Sequence, residues 1–267
     1  MPAQPTGRPS KFAVWRRLLN PNADLPHFVA DHRWQADQLA EKLGREAGAR
    51  RAIGGEFEAV GKVEAALLRH LGLSDGQCVI DVGCGSGRLA SALTGMPNLR
   101  YHGTDVVPRF LEHARSISPK TFRFTSVEGL TIPEPDGVAD FVCFFSVATH
   151  LAHHETYAYL REACRVLKPG GRIVMSFLQF TNPRHWKQFE DTVNSMNFPA
   201  HPPLNVLIES VAIEVWARHL NLVVDGIHAG DDRFIPIAER VVFETGKVME
   251  GFASNGQSVA VLRKPLA

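Results

Sequence analysis

Residues 78–90 decide the fold, and they read Cys-Val-Ile-Asp-Val-Gly-Cys-Gly-Ser-Gly-Arg-Leu-Ala. The β-branched run from Val79 to Val82 predicts a buried strand, and the apolar spacing from Leu89 onward predicts a helix. Glycines on alternate positions join them, where a ligand can pass in place of a Cβ and φ can be positive. A strand, glycine turn and helix present backbone N–H groups and a positive helix end to a ligand. The stretch predicts a ligand-binding βα turn, although glycines alone also suit a tight turn in another α/β protein.

The spacing of these glycines argues against two common nucleotide-binding motifs. In the dinucleotide fingerprint a third glycine or alanine follows three residues after the second, and Arg88 stands there instead. The turn is also too short for a P-loop and lacks its Lys-Ser/Thr pair. What remains, Asp81-x-Gly83-x-Gly85-x-Gly87, resembles the first motif of the class I S-adenosylmethionine-dependent methyltransferases. An oxidoreductase with a degenerate dinucleotide turn remains an alternative.

A second acid follows at the spacing expected for nucleotide binding. The segment Leu99–Asp105 predicts a strand, and Asp105 lies 18 residues beyond Gly87. The ribose-binding acid of a βαβ nucleotide unit falls at about this distance, and a carboxylate can accept hydrogen bonds from both ribose hydroxyls. Because Pro108 and a predicted helix come next, Asp105 could instead cap that helix.

A third acid follows the next predicted strand, Phe122 to Val127. Methyltransferases of this class often carry Asp-Ala at this place, and here the pair is Glu128-Gly129. The resemblance implies that Glu128 accepts a hydrogen bond from the adenine amino group while a neighbouring backbone N–H reaches a ring nitrogen. The alternative is an exposed loop acid.

The most specific resemblance is the helix-to-turn string Arg-Val-Leu-Lys-Pro-Gly-Gly at 165–171, which leads into a predicted strand, Arg172 to Phe177. With the other motifs, it extends the resemblance over residues 55–180. It implies a doubly wound α/β fold, with helices on both faces of a mostly parallel seven-stranded sheet whose last strand is antiparallel. The implied later elements are a helix within Val206–Leu220, a sixth strand at Leu222–Ile227 and a seventh at Gln257–Arg263.

The resemblance also implies a cofactor, S-adenosylmethionine, and residues that bind it. These are Asp81, Gly83, Cys84, Gly85, Gly87, Asp105, Val106, Glu128, Gly129, Phe145 and Ser146. Phe145 and Ser146 end the predicted strand Val138–Phe145, and ligands bind beyond the carboxyl ends of such strands.

Methyl transfer from a sulfonium is an in-line displacement, so much of its catalysis can come from positioning the acceptor. A hydroxyl acceptor is helped by a general base. His150 is the candidate, because it follows the fourth predicted strand beside the expected sulfonium. A packed or helix-capping histidine is the alternative interpretation.

The ends of the chain exceed a minimal domain. We divide it into an N-terminal arm and helical extension at 1–53 and a methyltransferase domain at 54–267, with an acceptor-side insert at about 181–205. A helix over the domain is expected within Val29–Leu43. Phe180, His185, Trp186 and Phe189 form either an apolar lid or a satellite core.

The net charge and the motifs of the chain limit the classes of molecule that we expect as the methyl acceptor. With 267 residues and a net charge of +1, no overall field favours nucleic acid. No Asn/Asp-Pro-Pro-Tyr/Phe motif follows the fourth strand, where amino-methylating nucleic-acid enzymes carry it. We therefore expect a small-molecule or glycan acceptor methylated on oxygen. N-methylation and non-catalytic S-adenosylmethionine binding are the alternatives.

The location and metal content are inferred from absent patterns. Arg16 and Arg17 interrupt the first apolar run, and no apolar stretch approaches membrane-spanning length, so we expect neither a signal peptide nor a membrane span. The four cysteines lack metal-ligand spacing, and the pair Asp231-Asp232 has no identifiable third oxygen ligand. We expect reduced thiols, a cytoplasmic location and no metal site.

Overall fold

A computed structural model describes residues 25–195 and 204–266. Its helices are α1 His27–Leu43, α2 Arg45–Ala52, α3 Phe57–His70, α4 Arg88–Ala92, α5 Pro108–Ser116, α6 His153–Val166, α7 Pro183–Ser195 and α8 Ser210–His219, with a 3₁₀ turn at Ala148–His150. Its strands are β1 Cys78–Val82, β2 Arg100–Asp105, β3 Arg123–Ser126, β4 Ala139–Phe144, β5 Leu167–Phe177, β6 Val223–His228, β7 Ile235–Pro236, β8 Val241–Val242, β9 Val248–Met249, β10 Phe252–Ala253 and β11 Ser258–Arg263.

Within the described residues, seven strands form one sheet in the order β3-β2-β1-β4-β5-β11-β6. Neighbouring strands from β3 to β5 are parallel. β11 runs antiparallel to both β5 and β6. The strand order reverses between β1 and β4, where open α/β sheets bind their ligands. The predicted doubly wound sheet with an antiparallel last strand is confirmed.

The central strand β1 is buried on both faces, as its unbroken apolar run predicts. Successive side chains of a strand point to opposite faces, so β1 contributes to two cores. Val79 packs in the cluster that contains residues of α3, α4 and α5. Ile80 packs in the cluster with α1, α6 and α8. Helices therefore cover both faces and fix the ends of the strands in place.

The extent and the number of strands differ from the sequence prediction. Strand β5 begins at Leu167 rather than Arg172. The reason is extra pairing: Gly170 N–H donates to Lys264 O, and Lys264 N–H donates to Gly171 O, both at 2.9 Å. The short antiparallel pairs β7–β10 and β8–β9 lie between β6 and β11 and were not predicted. Their buried residues join the α3 face of the core.

The predicted N-terminal helix is present as α1, and Phe28 and Val29 bury its inner face. The arm before residue 25, with Phe12 and Trp15, lies outside the described residues, and the division at residue 53 stays a prediction. Of the expected insert, α7 is described and 196–203 are not. Among the helices that the structure describes, none combines the length and apolar character needed to cross a bilayer.

Candidate active site

A cavity of about 350 Å³ opens beyond the carboxyl ends of β1, β2 and β4. It collects most of the residues predicted from sequence. Its lining includes Asp81, Gly83, Cys84, Gly85, Asp105, Val106, Phe145, Ser146 and His150. Gly87, Glu128 and Gly129 lie outside this lining. Cavities of this size, with apolar walls and a few polar groups, are typical small-molecule sites.

The glycine turn forms one wall of the cavity. Gly83 and Gly85 have φ angles of +69° and +55°. A Cβ at Gly83 would lie 2.5 Å from Val147 Cγ2, and one at Gly85 would lie 2.6 Å from Ile53 Cγ2. The sequence predicted that a ligand fills the space where the Cβ atoms of these residues would lie. In the structure, protein side chains occupy that space. A Cβ atom at either position would collide with these neighbouring side chains, so both positions require glycine.

Asp105 ends β2 and connects the two sides of the turn. Its Oδ2 accepts the Gly85 N–H and its Oδ1 accepts the Val107 N–H, both at 2.8 Å. Burial raises the pKa of Asp105 to about 6, although these backbone hydrogen bonds lower it. The carboxylate therefore links the glycine turn to the residue before α5 and also lines the cavity. Val107 is the N-cap residue of α5 and no side chain caps this helix, so Asp105 is not its cap. Ribose binding by Asp105 remains a prediction.

Asp81 is the penultimate residue of β1 and is 3% exposed. Burial raises the pKa of Asp81 to about 7, against the opposing effect of a hydrogen bond from the Tyr101 hydroxyl. The buried carboxyl groups of Asp81 and Asp105 thus share one cavity wall. This wall suits a positively charged ligand.

Glu128 lies at the surface, with its side chain 59% exposed. Its Oε1 accepts a hydrogen bond from Arg33 of α1 at 2.7 Å. The neighbouring Gly129 O accepts the Tyr159 hydroxyl at 3.0 Å, and Gly87 is the N-cap residue of α4. The cofactor-binding roles implied for these three residues remain predictions.

His150 ends the 3₁₀ turn that follows β4. Its Nδ1–H donates to Leu204 O at 2.8 Å, which leaves the Nε2 lone pair as the acceptor of a neutral ring. Burial lowers the pKa of His150. Nearby, Ser146 has a positive φ of 61° and its N–H donates to Ser176 Oγ at 2.7 Å. This bond fixes the backbone that leads from β4 to His150.

Comparison with known proteins agrees with this geometry. A family model described as "Methyltransferase domain" matches residues 79–171, which contain the glycine turn, Asp105 and His150. This match supports the resemblance of the chain to the class I S-adenosylmethionine-dependent methyltransferases. The family's cofactor is S-adenosylmethionine.

The names of the curated relatives of this chain mention several methyl acceptors. It is 27% identical over 156 residues to 2-methyl-6-phytyl-1,4-hydroquinone methyltransferase of Synechocystis, covering 55% of this chain and 46% of that protein. It is 31% identical over 125 residues to demethylmenaquinone methyltransferase of Tropheryma whipplei, covering 45% and 49%. It is 26% identical over 132 residues to 27-O-demethylrifamycin SV methyltransferase of Amycolatopsis mediterranei, covering 47% and 48%. The chain thus spans about half the length of these relatives.

Solved structures support the fold of the chain. A chain from the complex of the Haloferax volcanii Trm112 methyltransferase activator aligns with a TM-score of 0.58 at 20% identity, covering 88% of this chain and 98% of that one. An S-adenosylmethionine-dependent methyltransferase of Aquifex aeolicus aligns with a TM-score of 0.52 at 16% identity, covering 85% and 97%. At such identities the likeness concerns architecture alone.

The residues that line the cavity fit S-adenosylmethionine. S-adenosylmethionine carries a sulfonium and an ammonium group, and the glycine-turn wall holds the buried carboxyl groups of Asp81 and Asp105. A cation beside them would reverse the raised pKa values that burial causes. In the described part of the chain, no group of three or more His, Cys, Asp or Glu side chains could hold a metal ion.

Several residues that line the cavity were not predicted from the sequence. They are contributed by separate elements: Phe28, His32 and Gln35 from α1, Glu64 and Arg88 from the paired helices α3 and α4, and Gln188, Asn205 and Gln257 from the later segments. Arg88 donates to Glu64 at 2.6 Å in a buried ion pair. The only sequence signal for the α1 group was the presence of histidines in a helix expected over the domain.

The aromatic residues near α7 have separate positions. His185 is 2% exposed; its Nδ1 accepts the Gln179 N–H and its Nε2–H donates to Gly256 O, both at 3.0 Å. Phe180 and Trp186 are each 43% exposed and contact Phe189. His185 is therefore a buried structural residue, while the aromatic side chains cluster at the surface outside the cavity lining.

Proposed function

We propose that the chain transfers a methyl group from S-adenosylmethionine to an oxygen of a small-molecule or glycan acceptor by in-line displacement. The supporting observation is a single cavity that extends from the carboxylates of Asp81 and Asp105 to the imidazole of His150. One end suits the cationic cofactor, and the other offers an acceptor site beside a neutral base.

On this proposal the glycine-turn wall binds the cofactor. Asp105 accepts hydrogen bonds from the ribose hydroxyls with the lone pairs that its two backbone contacts leave free. Asp81 stabilises the positive charge of the cofactor from its buried position. Glu128 would have to exchange its ion pair with Arg33 for a contact with the adenine amino group.

The acceptor end would position the hydroxyl and remove its proton. The cofactor supplies a methyl group on a sulfonium, a good leaving group for displacement. The acceptor oxygen would form the new bond to the methyl carbon as the carbon–sulfur bond breaks. The electron pair of the broken carbon–sulfur bond would stay on the sulfur. His150 takes the hydroxyl proton on Nε2, the nitrogen that its Leu204 hydrogen bond leaves as acceptor.

The names of the relatives support a small-molecule acceptor. Hydroquinone, menaquinone and rifamycin names occur among them, and one names an O-demethyl compound. Low net charge supports the proposal that nucleic acid is not the acceptor. The four free cysteines, three of them buried, agree with a reducing cytoplasmic location, which we retain as part of this proposal.

The test combines cofactor binding with product analysis. Calorimetry should show S-adenosylhomocysteine binding, and isotopically labelled S-adenosylmethionine with an acceptor library should give a product methylated on oxygen. Arg218→Ala, an exposed change on α8 outside the cavity lining, is the matched control. A product methylated on nitrogen would support the N-methyltransferase alternative. Cofactor binding without turnover across the library would favour a non-catalytic binding protein, and absence of cofactor binding would overturn the proposal.

A further inference from the structure

Helix α1 forms part of the cavity wall. Phe28, His32 and Gln35 all line the cavity. Their spacing of four and then three residues places them on one stripe of the helix. The N-terminal extension therefore contributes side chains to the acceptor end, beside His150.

Several contacts hold α1 in this place. Arg33 Nε–H donates to Val106 O at 2.9 Å, and Arg109 pairs with Asp37 at 2.7 Å. At the start of the helix, His27 and Glu155 lie 2.8 Å apart. With Phe28 buried in the core, these contacts fix the position of His32 relative to the sheet.

His32 faces His150 across the cavity wall. Their ring centroids lie 4.6 Å apart, with planes at 80°. His150 has a protein hydrogen bond through Nδ1. His32, although partly buried, has this ring contact and no hydrogen bond to any residue that the structure describes. Because buried polar groups are normally hydrogen-bonded, His32 has polar atoms available to a ligand in the cavity.

We propose that His32 is an acceptor-binding residue, and that His32 and His150 together select an uncharged hydroxyl compound. This inference rests on the proposed methyl transfer and specifies its acceptor. His32 would hydrogen-bond the acceptor and orient it, while His150 receives the proton.

The charge distribution of the cavity gives the selectivity. Its charged lining residues are Glu64, Asp81, Arg88 and Asp105, all at the glycine-turn end. The acceptor end instead has amide side chains, namely Gln35, Gln188, Asn205 and Gln257.

The pKa values of both imidazoles lie below the usual value of histidine, which favours the neutral form of each ring at neutral pH. Burial, with repulsion from His150 and His27, lowers the pKa of His32 to about 3. Burial also lowers the pKa of His150 despite the opposing charge of Asp31. Neither ring offers a full charge to a carboxylate or an ammonium group, whereas both can exchange neutral hydrogen bonds with a hydroxyl.

The experiment measures fragment binding to the full chain saturated with S-adenosylhomocysteine, by ligand-observed NMR titration at pH 7.5. The probes are 4-methylphenol and methyl glucoside, compared with 4-methylbenzoate and 4-methylbenzylammonium. At least one uncharged hydroxyl probe should bind more tightly than both charged probes. His32→Ala should weaken that probe about 10-fold, the loss of one neutral hydrogen bond, while S-adenosylhomocysteine affinity stays within twofold.

Two variants separate binding from folding. His32→Gln keeps a hydrogen-bonding group and should retain most of the probe affinity. Glu41→Ala changes an exposed residue of the same helix and should leave both affinities unchanged. Equal or tighter binding of a charged probe, binding of none of the probes, or unchanged probe affinity in His32→Ala would each overturn the inference. Failure of the wild-type chain to bind S-adenosylhomocysteine would instead overturn the proposed function itself.

Discussion

Replacing Asp105 by asparagine tests the cofactor end of the site most directly. Alanine is unsuitable, because it would strip the Gly85 and Val107 N–H groups of their acceptor. An unpaired buried donor costs about 1–3 kcal/mol, so two would weaken folding as well as binding. Asparagine keeps the size and one carbonyl acceptor while it removes the charge.

The expected loss follows from the contacts. A hydrogen bond to a charged acceptor contributes about 1.5–3 kcal/mol. Removing the carboxylate should therefore weaken S-adenosylhomocysteine binding about 10- to 150-fold. The measurement belongs at pH 8, because burial raises the pKa of Asp105 to about 6 and the carboxylate is ionised there.

Calorimetry on both proteins with S-adenosylhomocysteine and its 2′,3′-dideoxy analogue isolates the ribose contact. The substitution should weaken the hydroxylated ligand strongly and the dideoxy ligand little, as a double-mutant cycle requires. Asp75→Asn is the control. Asp75 also accepts a backbone hydrogen bond, from the Asn98 N–H at 2.9 Å, but it does not line the cavity. A folded Asp105→Asn protein with wild-type affinity for both ligands would show that Asp105 only braces the turn.

Two further predictions concern titration. Because burial lowers the pKa of His150, its neutral form persists in acid. The acid limb of kcat/KM for the acceptor, measured with S-adenosylmethionine saturating so that Asp81 and Asp105 already face the cofactor, should therefore lie below pH 6.5; a limb at or above 6.5 would contradict the role of His150 as base. Burial raises the pKa of Asp81 to about 7, above its value of about 3.9 in the unfolded chain. The contribution of this group to the free energy of unfolding is therefore fully present below about pH 3.9 and is lost as the pH rises through 7. Asp81→Asn should therefore raise the melting temperature of the ligand-free chain at pH 8, by about 2–4 °C per kcal/mol, with little change at pH 4, and should weaken S-adenosylmethionine binding; a lower melting temperature at pH 8 would refute this.

The cofactor end could be predicted from sequence because its determinants are local. The glycine turn directly follows a recognisable strand, and Asp105 directly ends the next one. Carboxyl ends of adjacent parallel strands meet at one sheet edge, so these residues had to come together. The motif alone, however, did not reveal that Val147 and Ile53 are the groups pressing on the glycines.

The acceptor end could not be predicted in the same way. His32 and His150 are 118 positions apart and meet only because α1 packs across the sheet. Gln257 reaches the cavity through the pairing of β11 with β5, where no motif marks its role. The ion pair between Glu128 and Arg33 could not be predicted either, because Arg33 lies on a helix whose docking no short pattern encodes.

The lowered pKa of His150 bears on how the proposed reaction would be catalysed. A lowered pKa increases the fraction of His150 that is neutral at pH 7, but a weaker base gives less driving force for proton transfer. The rate would then depend more on holding the acceptor oxygen in line with the methyl carbon. Correct orientation alone can accelerate such a reaction greatly. A helix anchored at both His27 and Asp37 and carrying His32 between them supplies such an orientation. On this reasoning the N-terminal extension belongs to the catalytic unit, and the acceptor hydroxyl must either be acidic or be very well positioned.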